Sequence, residues 1–419
     1  MYDDFLTQLL AQNTPEEALD TLARIAGYVA VPPTIDQFLD EDFFAGRFLG
    51  KKVFPTWRDE LRTIFPHPLY SPFVEVLISG SIGSGKGVRK TTTLLTPNGR
   101  KLAADIQVGD WVSNPDGGAS QVRGVYPQPK QPVYEVTFND GSSVVVDGSH
   151  LWLYWESEYT CKRKQNWFYK DEQCNKQRVG STLELIEHLE HLGTLKGNKK
   201  LLIPLTKPVQ FNQRRECAID PYLLGLLLGD GCLTTRSTLS VSSVDSEIQE
   251  FLVNQGFSIG GDGKSCRPVG AARIELARKL YNQKLMGTYS HTKFVPKCFK
   301  FTSIENRLAL LQGLMDTDGY VDTTGGVEYT TTSHQLALDV QELISSLGGW
   351  ASIRTKTGSY IDKHGERVWC KLVYRLYIQF PNKTDLFRLT RKKERAAIYG
   401  GKYNGSNSGE YTLARSIKS

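Results

Sequence analysis

The segment Leu223–Gly231 reads LLGLLLGDG, and 88 positions later Leu311–Gly319 reads LQGLMDTDG. Both are apolar runs of helical character that end in an Asp-Gly pair, at Asp230 and Asp318. One apolar helix followed by Asp-Gly is common, whereas two copies in one chain indicate a duplicated unit. Small residues that would let two such helices pack closely lie at Gly225, Gly229 and Gly313.

The two segments resemble the paired helices of LAGLIDADG homing endonucleases, which commonly sit inside inteins. The resemblance implies an α+β domain of two αββαββ repeats over residues 218–400, acting on double-stranded DNA. In that family each aspartate, here Asp230 and Asp318, holds Mg²⁺, which activates water and stabilises charge on the phosphate. Binding is expected from β-strands in the major groove, including the basic strands near 351–380.

A lysine motif supports the same resemblance. Lys293-Phe294-Val295-Pro296 resembles the family's Lys-x-Ile-Pro and precedes Asp318 by 25 positions, as that motif does. The resemblance implies that Lys293 assists water activation or neutralises the phosphate; a solvated lysine is the alternative. Pseudo-symmetry predicts a second lysine in the later repeat, with Lys392 and Lys393 as candidates, although that basic run also suits contact with the DNA backbone.

The region before these repeats has a different sequence pattern. Residues 91–155 read as short strands separated by turn signals such as Asn98-Gly99 and Asp140-Gly141. The segment Thr92–Arg100 resembles an intein N-terminal motif, and Gly141–Trp155 resembles the second motif of that family. The resemblance predicts an all-β splicing domain here.

One turn in this region carries the candidate splicing residues. Asp147-Gly148-Ser149-His150 stands where inteins have a Thr-x-x-His turn, whose histidine bonds to the scissile peptide; an imidazole exchanges protons near neutrality. Gly87 lies where ordinary inteins carry a Cys or Ser nucleophile. With Trp152 two residues after His150, this is similar to a minority class that lacks the first nucleophile. The alternatives are a damaged ordinary intein, a packed histidine and a core tryptophan.

A phosphate-binding loop precedes the β region and is interrupted. The stretch from Gly80 to Lys86, GSIGSGK, follows an apolar strand and matches GxxxxGK, so Gly80, Gly85 and Lys86 would contact phosphates. Gly87 replaces the Ser or Thr that holds Mg²⁺, and turn and strand signals follow where a helix is needed. The splice junction is therefore expected between Lys86 and Gly87. A chance glycine-rich loop is the alternative.

With its Trp57-containing helix, the segment before the junction resembles the N-terminus of a tailed-phage terminase large subunit. A third interpretation of the chain, a fragment of a P-loop packaging ATPase, predicts nucleotide binding by residues 1–86. That reading conflicts with the missing Mg²⁺ hydroxyl and the missing helix.

Charge separates the two parts of the chain. Residues 1–86 carry a net charge of −5, and residues 87–419 carry a net charge of +11. The positive charge of the larger part predicts that it binds a polyanion. The seven cysteines are scattered without a CxxC pair, which disfavours zinc knuckles and disulfides. The longest apolar run, Tyr222–Leu228, is far below the ~20 residues of a membrane span. We expect no membrane partner, and a location in the cytoplasm of a bacterium that hosts a phage or prophage.

The end of the chain lacks the His-Asn pair that finishes an intein. We expect either one half of a split intein or a truncated reading frame. A split intein implies a partner, a separate C-terminal intein fragment that carries the rest of the terminase. On this alternative the chain is chiefly a trans-splicing precursor whose nuclease has decayed.

These expectations describe a multidomain chain: an all-β intein splicing (Hint) domain with an inserted α+β LAGLIDADG endonuclease, preceded by a mainly α extein fragment ending in a strand and P-loop. The expected activity is Mg²⁺-dependent double-strand cleavage of the intein-less terminase gene, with possible autocatalytic splicing. The expected boundaries are 1–86 for the extein fragment, 87–160 for the N-terminal part of the splicing domain, 161–217 for a linker or DNA-contacting insertion, 218–400 for the endonuclease and 401–419 for the incomplete start of the C-terminal splicing segment.

Overall fold

The computed structural model describes residues 88–125, 132–156, 168–170, 178–194, 200–212, 217–323, 325–363, 365–400 and 411–418. The chain divides into two compact units, Met1–Ser79 and Gly80–Ser419, and every described residue belongs to the second. The predicted extein fragment 1–86, with Gly80, Gly85 and Lys86 of the P-loop, lies outside the described residues, as does Gly87.

Short antiparallel strands follow one another from residue 93 to 156, as the turn signals predict. Gly99 and Gly141 have φ of +114° and +86°, a backbone conformation that glycine adopts without strain, and each lies in the turn of a hairpin. The strands are β1 (Thr93–Thr96), β2 (Gly99–Leu102), β3 (Trp111–Ser113), β4 (Ala119–Gln121), β5 (Val133–Thr137), β6 (Ser143–Asp147) and β7 (Leu151–Glu156).

A five-stranded sheet connects this region to distant parts of the chain. Its order is β8-β19-β10-β7-β9. The stretch 161–217, expected to be a linker or DNA-contacting insertion, therefore contributes three strands to the same sheet as β7. The added elements are β8 (Phe168–Lys170), β9 (Arg178–Ser181), α1 (Thr182–Thr194), β10 (Leu201–Pro204) and β19 (Tyr411–Ser416).

The first and last described segments meet on one hairpin, β5–β6. Val88 forms an antiparallel bridge with Val146 of β6. Ile417 forms an antiparallel bridge with Phe138, at the end of β5. Because β5 and β6 pair with each other, the two segments flank a single hairpin.

Residues 221–400 form two repeats with the same order of elements. Each repeat has a four-stranded antiparallel sheet, β11-β12-β14-β13 in the first and β15-β16-β18-β17 in the second. The first repeat comprises α2 (Pro221–Asp230), β11 (Gly231–Cys232), β12 (Ser240–Ser242), α3 (Ser246–Asn254), β13 (Phe257–Ile259), β14 (Ser265–Pro268) and α4 (Gly270–Asn282). After α5 (Lys297–Lys300), the second comprises α6 (Ile304–Asp318), β15 (Gly319–Val321), β16 (Val327–Thr331), α7 (His334–Ser346), β17 (Trp350–Ile361), β18 (Arg367–Gln379) and α8 (Thr390–Gly400).

Helices α2 and α6 pack against each other at two glycines. A Cβ added at Gly225 would lie 2.4 Å from the carbonyl oxygen of Leu310, and one at Gly313 would lie 2.3 Å from that of Tyr222. No side chain fits at either position, so the backbones touch. Both helices begin with a side-chain cap: Asp220 accepts from the Leu223 N–H, and Ser303 does so from the Asn306 N–H.

Two further findings concern the described residues. The five cysteines that the structure describes are all free thiols, in agreement with their scattered spacing. No helix within the described ranges is both long and apolar enough to cross a lipid bilayer.

Candidate active site at the ends of the paired helices

Asp230 and Asp318 are the last residues of α2 and α6, and they emerge at the same end of the helix pair. At this end the helices still touch, because a Cβ at Gly229 would lie 2.0 Å from the Thr317 hydroxyl oxygen. Asp230 is exposed and Asp318 is half-buried. The glycines thus bring two carboxylates from the two repeats to one place.

Lys293 lies against the end of α2. Its side chain is 4% exposed, and its Nζ donates to the carbonyl oxygens of Leu227, Gly229 and Gly231 at 3.1, 3.0 and 2.8 Å. The end of an α-helix leaves carbonyl groups without intrahelical partners. A single ammonium group satisfies three of them here.

Lys392 makes the matching arrangement at the end of α6. Its side chain is 8% exposed. Its Nζ donates to carbonyl oxygens at four positions, those of Met315, Asp316, Thr317 and Gly319, at 2.8, 2.7, 3.3 and 2.8 Å. Three of these acceptors lie 88 positions after the three that Lys293 holds. The neighbouring Lys393 is exposed, so Lys392 is the equivalent of Lys293 in the second repeat.

The four charged groups influence one another. Burial, and after it the charge of Asp230, raises the pKa of Asp318 to about 6, against the opposing effect of the two lysines. The protein atoms around Asp230 also desolvate its carboxylate in part and raise its pKa, although the residue is exposed at one side. Burial lowers the pKa of Lys293 and of Lys392 to about 8, while nearby aspartates oppose that change. Two acids and two bases are therefore coupled within one partly desolvated centre.

The segment around each lysine is held in place by residues of the other repeat. Ser333, which caps α7, donates its hydroxyl to the Lys293 carbonyl oxygen at 2.6 Å, and buried Asp339 of α7 accepts from the Val295 N–H at 2.8 Å. Beside Lys392, Arg391 forms a bidentate pair with Asp245, which directly precedes α3, with both distances 2.8 Å. The sequence analysis missed these supports, since they join residues from 40 to 146 positions apart. The only local signal is Ser333 at a helix start.

Tyr329 is a second residue that sequence reasoning missed. It lies in β16 with no exposed surface. Burial raises the pKa of its hydroxyl well above the ordinary value, and the charges of Asp318 and then Asp230 raise it further. The phenol is thus neutral and lies within the field of both carboxylates. In the sequence it is only one alternating residue of a strand.

The donor set fits a divalent cation. Carboxylate oxygens are hard ligands of the kind Mg²⁺ takes, and Mg²⁺ is commonly held by one or two carboxylates together with substrate phosphates. Positive charge between Asp230 and Asp318 would relieve the repulsion that raises the Asp318 pKa. Within the described residues no group of three or more His, Cys, Asp or Glu side chains could hold a metal by itself, so phosphate and water would have to complete the coordination.

The candidate splicing residues form a separate cluster. The His150 and Trp152 rings meet edge to face with centroids 5.0 Å apart, and Trp152 packs in the core of the β region at 8% exposure. The Trp152 indole N–H donates to the Thr182 hydroxyl at 3.1 Å, and the Thr182 N–H donates to the His150 carbonyl at 2.9 Å. Asp147 accepts from the Ser149 N–H and hydroxyl, both at 2.8 Å, which fixes the turn before His150.

Comparisons with known proteins found one family model and several solved structures that are similar to this chain. A family model described as a LAGLIDADG-like domain matches residues 305–380. Two solved structures of the homing endonuclease I-DmoI, mesophilic variants and a complex with target DNA in the presence of Mg, were also found. They are 16% identical, with a TM-score of 0.25, and cover 44% and 46% of this chain and 94% and 98% of theirs.

Among curated proteins the chain is similar to replicative DNA helicases named DnaB. That of Mycobacterium intracellulare is 29% identical over 342 residues, which are 80% of this chain and 54% of the helicase. That of a Nostoc species is 28% identical over 186 residues, 39% of this chain and 21% of the helicase. The chain thus spans about half the length of the first relative and about a fifth of the second, and it carries a LAGLIDADG-like domain.

Proposed function

We propose that residues 218–400 are a Mg²⁺-dependent endonuclease that cuts both strands of DNA at the gene copy that lacks the insertion. One observation carries the proposal: each repeat supplies a carboxylate at a helix end and a buried lysine on the carbonyls of that same end. Duplex DNA has two strands of opposite direction, related by local twofold axes. A pair of equivalent sites related by a pseudo-twofold axis can meet one phosphate on each strand.

In this proposal each residue of the site has a separate role. Asp230 and Asp318 would hold Mg²⁺, which when bound would activate water and stabilise negative charge on the phosphate. Lys293 and Lys392 fix the ends of α2 and α6 through the carbonyls, which keeps the carboxylates in place. Their ammonium charges also oppose the rise in the pKa of Asp318 and so favour its charged, metal-binding form. Tyr329 lines the buried side of the centre as a neutral group.

The outer face of the second sheet suits a polyanion. Arg354 and Arg375 both stack on Tyr377, with guanidinium carbons 5.0 and 5.5 Å from the ring centroid, and Arg375 pairs with Glu328. The strand register places all four on the face opposite the buried Leu376. Arginine in a β-strand can read guanine edges and contact phosphates in the major groove.

Incubation with DNA tests this function. The substrate is a 60-base-pair duplex in which the Lys86 codon is joined directly to the Ser or Thr codon that completes the phosphate loop. We expect cleavage of both strands with Mg²⁺ and none after a chelator removes it. A duplex that still contains the insertion boundary is the matched control. Failure to cut the joined duplex with Mg²⁺ would refute the assignment.

We propose a second function, protein splicing, for residues outside these repeats. The observation that favours it is the meeting of the first and last described segments on β5–β6. Val88, the second residue after the expected junction, pairs with Val146, four residues before His150. A splicing domain has to bring its two ends to one place. His150 would bond to the peptide between Lys86 and Gly87, with Trp152 packed against its ring.

Co-expression tests splicing. The chain would be produced together with a separate polypeptide that carries the C-terminal intein fragment, including its His-Asn pair, followed by the downstream part of the host protein. We expect mass spectrometry to detect residues 1–86 joined to the downstream host sequence, and His150→Ala to abolish that product. Lys393→Met is a control that should splice normally. Equal splicing by His150→Ala would remove the role given to the histidine.

Two host proteins are candidates for the insertion, and sequencing can distinguish them. The motif GSIGSGK favours a terminase large subunit. The helicase relatives match over only part of their lengths, as a mobile element shared between different hosts would do. A helicase-like host is thus a second candidate. Sequencing the gene downstream of the insertion distinguishes the two hosts.

A further inference from the structure

The β region and the second repeat are bonded to one another through the segment 206–212, which we call the connector. Its N–H groups donate to three carbonyl oxygens of the β region and to one of α7, over 2.7 to 2.9 Å: Lys207 to Pro115, Gln210 to Gly117, Asn212 to Pro97 and Val209 to Ser346. The buried Arg307 of α6 donates to the carbonyl oxygens of Val209 and Ser346. The connector is thus fixed to both parts, which holds the first hairpin of the β region opposite α7.

A series of charged side chains leads from that hairpin to the segment that carries the first buried lysine. Arg100 in β2 pairs with Glu342 of α7 at 2.5 Å. Lys300 lies 2.9 Å from Glu342 and 2.9 Å from Asp339. The Asp339 carboxylate accepts from the Val295 N–H at 2.8 Å, two residues after that lysine. The β region is therefore connected to the backbone of the lysine segment.

A cleft beside these groups leaves them room to move. It has a volume of about 430 Å³ and is lined by Arg100, Lys300, Asp339 and Glu342, with the Phe294–Val295 backbone at one side. Side chains in a close-packed core cannot change partners without strain, whereas side chains at an open cleft can. The pairing of these charges therefore depends on which partners are present.

Two carboxylates share the ammonium group of Lys300. The Asp339 side chain is 2% exposed and that of Glu342 18%, so Asp339 needs a charged partner more. Gln335 also donates to Asp339, at 3.0 Å, but carries no charge. Arg100 gives Glu342 a cation of its own. Without that guanidinium, Glu342 would draw Lys300 away, and Asp339 would lose the cation that holds it against the lysine segment.

We propose that Arg100 of the β region is a positioning residue for DNA cleavage. By pairing with Glu342, it leaves Lys300 to the carboxylate that holds the segment of Lys293. The proposal rests on the nuclease function proposed above, and it makes cleavage depend on the β region as well as on the two repeats. Because the Arg100 side chain is 44% exposed, its ion pair contributes little to stability. Its loss therefore acts on the cleavage rate.

Cleavage by variants of the full chain tests this role. Single-turnover cleavage of the joined 60-base-pair duplex would be measured with Mg²⁺, and duplex affinity without it. We expect Arg100→Met to lower the cleavage rate about 10-fold, within the loss of about 100-fold that a displacement of about 1 Å can cause. Its duplex affinity should stay within about 2-fold of wild type, because this arginine acts on the lysine segment and not on DNA. Rates would be normalised to the fraction of protein that binds duplex.

A second substitution separates this mechanism from the simple loss of an ion pair. Glu342→Gln removes the competitor for Lys300, so the double variant Arg100→Met/Glu342→Gln should cut within about 3-fold of wild type, a non-additive result. Arg123→Met replaces another exposed arginine of the β region and is the matched control. It should cut and bind like wild type.

Three results would overturn the proposal: cleavage by Arg100→Met at the wild-type rate, no recovery in the double variant, or a loss of duplex affinity that accounts for the slower cleavage. If wild type itself does not cut the duplex, the nuclease function is refuted instead.

Discussion

Two buried ammonium groups donate hydrogen bonds to the carbonyl oxygens at the ends of α2 and α6. A helix terminus presents several carbonyl oxygens without partners, and burying them unsatisfied costs about 1–3 kcal/mol each. Lys293 and Lys392 satisfy seven such bonds between them, three and four respectively. These bonds fix the last turns of α2 and α6, and so they fix the two carboxylates at the helix ends.

Replacing Lys392 tests its role against that of its neighbour. Lys392→Met leaves four carbonyl acceptors without the ammonium, so we expect a loss of about 1–3 kcal/mol of unfolding free energy. DNA cleavage should fall by about 100-fold, as the misplacement of a catalytic group by about 1 Å does. Single-turnover cleavage and urea unfolding measure the two effects. Lys393→Met should change neither, and equal losses in both variants would contradict the assignment.

The choice between these two lysines shows what a sequence cannot provide. Adjacent helical residues point ~100° apart, so which of two lysines faces α6 depends on how α8 packs. The positions of the two aspartates could be predicted from the sequence, because their repeated Asp-Gly pattern places both at helix ends. Their proximity follows from Gly225 and Gly313, which the sequence did offer.

At the scale of elements, the pairing of α2 with α6 depends on two glycines. Gly225→Ala places a methyl group 2.4 Å from a backbone oxygen that cannot move alone, so the helices must separate. We expect a loss of about 2–3 kcal/mol in urea unfolding. Cleavage should fall with it, because the aspartates would shift apart.

Gly261→Ala is the matched control for this change. A Cβ at Gly261 meets nothing within 4 Å. We expect its unfolding free energy to lie within about 0.5 kcal/mol of wild type. If Gly225→Ala is as stable as Gly261→Ala, the close approach of the helices is wrong.

Local patterns predicted most single elements but not their assembly. The apolar repeats predicted α2 and α6, and the Asn-Gly and Asp-Gly pairs predicted the hairpins β1–β2 and β5–β6. The five-stranded sheet was not predictable, because its pairs join residues such as Tyr169 and Thr412, and the stretch 161–217 lacks a strong strand pattern. Long-range pairing leaves no local signal in a single sequence.

At the scale of the whole molecule, a charge network joins the β region to the second repeat. Arg100 in β2 pairs with Glu342 in α7 at 2.5 Å, and Lys300 bridges Glu342 and Asp339 at 2.9 Å to each. Asp339 in turn holds the backbone of the lysine segment through Val295. The first hairpin of the β region thus contacts a helix that supports the candidate active site.

This network predicts a pH-dependent contribution to stability. Burial alone would raise the pKa of Glu342, but hydrogen bonds from Lys300 and Arg100 outweigh it and hold the pKa below 4.5. A lowered acid pKa stabilises the fold above the unfolded value, and this contribution is lost as the pH falls through the folded value. The pKa of Lys300 is raised above 10.5: burial would lower it, but its two carboxylate partners outweigh that effect.

Glu342→Gln should therefore cost about 1–2 kcal/mol at pH 7, where both partners are charged. The difference from wild type should shrink as the pH falls below about 4.5. Thermal unfolding at pH 7 and pH 4 measures it, with exposed Glu250→Gln as control. A difference that does not change with pH would mean that the carboxylate charge contributes nothing.

The central claim is that Asp230 and Asp318 form one cleavage centre shared by the two repeats. Its most direct test is cleavage of the joined 60-base-pair duplex with Mg²⁺ by wild type, Asp230→Asn and Asp318→Asn. Asparagine keeps the size of the side chain and removes the charge that holds Mg²⁺. The account predicts double-strand cleavage by wild type, none by either variant, and unchanged duplex binding. Double-strand cleavage by either variant at the wild-type rate would contradict it.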